Sequence, residues 1–141
     1  MLVPAGAAAP PGPLTAQALP ARAGSRPAEL RLAFRTELQC GRVGPGPVIV
    51  ALPSAERMPA SIRAGAVLVN GAAPRSVTRT GSVISLAIPP AHGITCNVIG
   101  PGTISIVFTR AAGLGNPTAS GTYRVSVRAG GRAATGNLVV S

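Results

Sequence analysis

Apolar residues at alternate positions, in short runs broken by glycine and proline, dominate this chain from Glu29 onward. In ELRLAFRTELQC, Leu30, Leu32, Phe34 and Leu38 share one face, while Arg31, Arg35 and Glu37 share the other. A period of two is that of an extended strand with one side buried. Cys40 continues the buried phase. Val48, Val50 and Leu52 form a second run ended by Pro53, and Ile84, Leu86 and Ile88 another, stopped by Pro89-Pro90. Ile94, Cys96 and Val98 share a phase, as do Ile104, Ile106 and Phe108. Tyr123, Val125 and Val127 then face inward against outward Arg124, Ser126 and Arg128, and NLVVS supplies a last strand after Gly130-Gly131. Asn70-Gly71 tolerates positive φ, so Val67–Val69 and Ser76–Thr80 are expected to flank a hairpin-like connection. No segment has a helical period.

With 18 glycines and 15 prolines in 141 residues, turns are frequent enough to separate seven to nine short strands. The expected fold is all-β: an antiparallel two-sheet sandwich of immunoglobulin-like arrangement, with a closed barrel as the alternative. The length suits one domain, placed at 29–141. Residues 10–28 read as a flexible linker, because Pro10, Pro11, Pro13, Pro20 and Pro27 block a helix and the stretch shows no period. Residues 1–9 resemble the end of a signal peptide, with Gly6/Ala8 or Ala7/Ala9 before a cleavage point. The basic and apolar front of such a peptide is missing, so the segment is either a truncated remnant or a plain Ala/Pro leader. Secretion fits the cysteines. Cys40 and Cys96 both continue buried phases, so a Cys40–Cys96 disulfide is expected if their strands face across the core. Two separate buried thiols are the alternative.

The net charge of +10 comes from 13 arginines against 3 glutamates, without lysine or aspartate. An Arg-only, Ala/Gly/Pro-rich chain is what a GC-rich genome writes, yet the charge still attracts anionic surfaces. Arg31 and Arg35, and Arg124 and Arg128, lie four apart on their strands and so share outward faces. They are a candidate face for an anion or partner if the strands share a sheet; otherwise they are a solvated basic surface.

The residue types needed for catalysis are missing. Glu29 and Glu37 are separated by roughly 26 Å along a straight strand, too far for one acid–base site, and Glu56 is the third carboxylate. Without Asp there is no Ser–His–Asp triad, and no Gly-x-Ser-x-Gly elbow occurs. His92, in PPAHG, is the lone histidine and reads as an exposed loop residue. No phosphate loop, metal-ligand spacing or cofactor motif is present. There is no Trp, and the three aromatics fall on inward phases, which disfavours carbohydrate platforms and base stacking. A recognition helix is also lacking, so no specific nucleic acid is expected. The longest apolar run, Val48 to Leu52, is far short of the ~20 residues of a membrane span.

The run LVNGAAPRSVTRTGSVISLAIP and the later FTRAAGLGNPTASGTYRVSV resemble immunoglobulin-like modules of bacterial secreted and cell-surface multidomain proteins. The likeness covers about residues 46–141. It is carried by Val69, Asn70 and Gly71, then Ala112, Gly113, Asn116, Pro117, Gly121, Thr122 and Tyr123. The resemblance implies a spacer, adhesion or assembly role. A Tyr at that point reads as a core residue whose hydroxyl bonds a nearby backbone group. The expected function is therefore a non-enzymatic structural or interaction module, extracellular or in the cell envelope, with other envelope proteins or an anionic wall polymer as partners. A soluble secreted protein binding an anionic ligand through its arginine face is the alternative. The weakly charged outward positions Val83, Ser85, Ala87, Ser105 and Val107 are expected to meet another module or subunit.

Overall fold

The computed structural model describes residues 12–36, 47–88, 102–129 and 132–141. These form nine strands: β1 (Gly12–Leu19), β2 (Glu29–Thr36), β3 (Val48–Ala51), β4 (Val67–Val69), β5 (Ser76–Thr80), β6 (Val83–Ala87), β7 (Gly102–Phe108), β8 (Gly121–Ala129) and β9 (Arg132–Val140). Two single 3₁₀ turns, Ala64–Ala66 and Arg110–Ala112, precede β4 and follow β7. Among the described residues no helix is long and apolar enough to cross a membrane.

The alternation seen in the sequence is realised strand by strand. Leu30, Leu32 and Phe34 of β2 are buried, as are Ile84 and Leu86 of β6, Ile104, Ile106 and Phe108 of β7, and Val125 and Val127 of β8. All contribute to one continuous apolar core.

The expected two-sheet antiparallel sandwich is not what forms. All nine strands belong to one hydrogen-bonded sheet, in the order β4-β7-β2-β1-β9-β8-β3-β6-β5. The join is β1, which pairs antiparallel with β2 from Leu14↔Phe34 to Leu19↔Glu29 and parallel with β9 at Gly12↔Ala134 and Pro13↔Thr135. The sheet is therefore mixed and continuous, and the immunoglobulin-like assignment falls with it. Its curvature follows from chain length. The edge strands β4 and β5 are joined by residues 70–75 alone, a link that reaches at most ~24 Å. Laid flat, nine strands would hold their edges ~38 Å apart. The sheet must curl into an open half-barrel, and the core fills its concave side.

Two further expectations are corrected by the same topology. Val67–Val69 and Ser76–Thr80 are not hairpin partners, since β4 pairs with β7 and β5 with β6. Asn70 and Gly71 do take positive φ, 49° and 85°, but that turn sends the chain from one sheet edge to the other. Residues 12–19, inside the stretch read as linker, form the central strand β1. Leu14 and Ala18 are buried while Thr15 and Gln17 are exposed. Pro13 and Pro20 sit at the ends of this strand, where a missing N–H costs no central ladder bond, and they hid its alternation.

Candidate functional surface

The predicted arginine face is divided. Arg31 and Arg35 are exposed on β2, flanking Ala33, and Arg124 and Arg128 are exposed on β8, flanking Ser126. β1 and β9 lie between those strands, so the two pairs stand about 14 Å apart around the curve, on outer faces that diverge. Arg31 is also engaged: its Nε donates to Glu29 Oε2 at 2.7 Å, the one ion pair among the described residues. Beside it, Thr15, Gln17, Arg31, Leu32, Ala33 and Ser105 line a shallow open depression of about 260 Å³. That is below the ~300 Å³ at which pockets begin to enclose a small molecule. Val83 stands out on the other outer face, and Ser85 and Ala87 beside it are half-buried, as are Ser105 and Val107. Cys40, Cys96, Glu37 and His92 lie outside the described residues.

The sheet has two distinct ends. At one, β2 leaves at Thr36, β7 enters at Gly102, and β3 enters opposite Leu86. At the other, three loops gather: residues 20–28 between β1 and β2, 52–66 between β3 and β4, and 109–120 between β7 and β8. They carry Arg22, Arg26, Arg57, Arg63 and Arg110, all exposed.

Contacts tie these five together. Asn116 is buried, and its Nδ2 donates to the Pro20 carbonyl at 2.7 Å and the Arg22 carbonyl at 2.8 Å. Next to it, Gly115 makes a reciprocal backbone bridge with Arg57, at 2.8 and 2.9 Å. A Cβ at Gly115 would lie 3.0 Å from the stems of both Arg26 and Arg57, so the two side chains straddle this glycine. Arg26 Nε reaches the Gly113 carbonyl at 3.3 Å, and Arg57 Nη1 the Gly24 carbonyl at 3.4 Å. The Arg110 carbonyl accepts from Gly113 N–H, and the Arg63 carbonyl accepts from Ala66 N–H. The Ala66 carbonyl in turn receives both the N–H and the hydroxyl of Thr109. Tyr123 also braces this end, its hydroxyl donating to the Ala119 carbonyl at 2.6 Å.

Counter-charge here is scarce. Glu29 is taken by Arg31. Glu56 is buried, its Oε2 has no hydrogen-bond partner, and desolvation pushes its pKa up from 4.5 to about 7. No group of three or more His, Cys, Asp or Glu side chains among the described residues is placed to hold a metal ion. Sequence reasoning put the basic site on the strands and missed this loop cluster. Arg22, Arg26, Arg57, Arg63 and Arg110 have no common spacing; only the gathering of three loops joins them.

No family model and no curated protein sequence matches the chain. The fold is similar to that in the crystal structure of BslA, a bacterial hydrophobin, at 19% sequence identity and a TM-score of 0.57. The match covers 91% of this chain and 94% of that one. This likeness replaces the immunoglobulin-like module as the structural reference for the chain.

Proposed function

We propose that this chain is a secreted, non-enzymatic structural protein that acts as a hydrophobin does, by coating an interface between water and an apolar phase. The observation that carries the reading is the whole-chain fold likeness to a bacterial hydrophobin. One end of the sheet bears five exposed arginines. Exposed arginines stand at the opposite end as well, Arg75, Arg128 and Arg132 among the described residues.

The test is interfacial. The full chain spread at an oil–water boundary is expected to lower the tension and leave a film that resists shear. It should do so in high salt as well as low, because apolar adsorption is not screened. A film without shear elasticity, or adsorption abolished by salt, would overturn the reading.

A further inference from the structure

We propose that the loop end bearing Arg22, Arg26, Arg57, Arg63 and Arg110 is a docking surface for an extracellular anionic polysaccharide, engaged through its carboxylates. The side chains come from three separate loops, yet one contact network roots them all: Arg22 to Asn116, Asn116 to Gly115, Gly115 between Arg26 and Arg57, Arg26 to Gly113, and Gly113 to Arg110. Arg63 joins through Ala66 and Thr109. Arginine is suited to this task because its planar fork meets a carboxylate with two parallel N–H donors and never loses its charge. Arg26 and Arg57 spend one nitrogen each on a backbone carbonyl, at 3.3 and 3.4 Å. Those bonds hold the stems in place while other guanidinium N–H groups stay available.

The shape of the site selects the partner. All five side chains are exposed and spread over three loops, which suits a chain of repeated charges better than one enclosed anion. Nucleic acid is disfavoured because the aromatic side chain at this end, Tyr123, is half-buried with its hydroxyl held by the Ala119 carbonyl, and so offers no open face for a base to stack on. The choice of a polysaccharide rests on the extracellular reading above, while the location of the site rests on the geometry alone. The site also differs from the β2 and β8 arginines, which no network joins.

The test uses the full chain with polygalacturonate as the anionic probe, dextran as the neutral one and single-stranded DNA as the rival polyanion. Binding to polygalacturonate is expected at low salt, weakening as salt is added, with none to dextran. The variant R22Q/R63Q/R110Q removes three charges whose side chains hold no backbone bond. It should lose about tenfold in affinity or more, with an unchanged thermal melt. R124Q/R128Q, on the sheet, should lose less than about twofold. Equal losses in both variants would show that net charge alone drives binding, and would overturn the proposal. So would tighter binding to single-stranded DNA, or no binding at all. Shear measurement on the same proteins separates the two readings. A triple variant that still forms an elastic film but loses the polymer supports both, whereas wild-type binding without a film overturns only the interfacial function.

Discussion

Glu56 is a carboxyl group where a charge is poorly tolerated. It is buried, one oxygen lacks any partner, and its pKa rises to about 7 through desolvation. A folded-state pKa above the unfolded value means the folded protein holds a proton that the unfolded chain would release. Stability from this group is therefore fully present below pH 4.5 and is lost as the pH climbs through about 7. The loss is on the order of 3 kcal/mol when complete. Replacing Glu56 by Gln keeps the neutral shape. Denaturant unfolding at pH 5 and pH 8 should show wild type losing stability over that interval and E56Q losing clearly less. An identical pH dependence in both proteins would mean that the Glu56 carboxylate is solvated. Asn116 shows how the loop end stays ordered in spite of its charge. Its buried amide satisfies two carbonyls of the 20–28 segment, at 2.7 and 2.8 Å.

At the scale of the strand, the decisive element is β1, because among the described residues it alone carries hydrogen bonds from the β2 half of the sheet to the β9 half. The crossing is close. A Cβ on Gly136 of β9 would run into the Leu14 carbonyl and would lie 3.2 Å from the Leu14 side chain. Gly136→Ala should therefore destabilise the protein by about 1–3 kcal/mol, the usual cost of overpacking, measured as a lower denaturation midpoint at unchanged m-value. Gly12→Ala meets no atom nearer than 3.9 Å and serves as the mild control. This element also marks where sequence reading stopped. Strands β2, β3, β6, β7 and β8 were legible because each buries every second side chain. β1 was hidden by its flanking prolines, and its partners were unreadable because pairing is a long-range property: Leu14 finds Phe34 and Gly12 finds Ala134. For the same reason a continuous sheet could not be told from a sandwich. Edge strand β5 carries a local device that the sequence reading did not identify. Arg79 takes the inward phase and bonds the Gly81 carbonyl at 2.7 Å, and an inward-pointing charge discourages edge-to-edge association.

For the molecule as a whole, the register of β2 and β7 bears on the two cysteines. Thr36 pairs with Gly102, Cys40 lies four residues beyond the first, and Cys96 six before the second. Neighbouring strands thus lead to both, and spans of about 14 and 20 Å are enough for their thiols to meet. We expect a non-reducing intact mass two hydrogens below the reduced one, and a disulfide worth about 4 kcal/mol by the loop-entropy relation. Equal masses would leave two thiols and remove the covalent argument for an oxidising compartment. The loop end has a different consequence. Its exposed charge is carried by five guanidinium groups, with the buried Glu56 carboxyl beneath them. A coat with that end turned to water would be an electrode of fixed sign. Its zeta potential would respond to salt and to bound polymer, and because one buried carboxyl faces five arginines its sign would hold on both sides of the Glu56 titration, so particles wearing it would keep repelling one another.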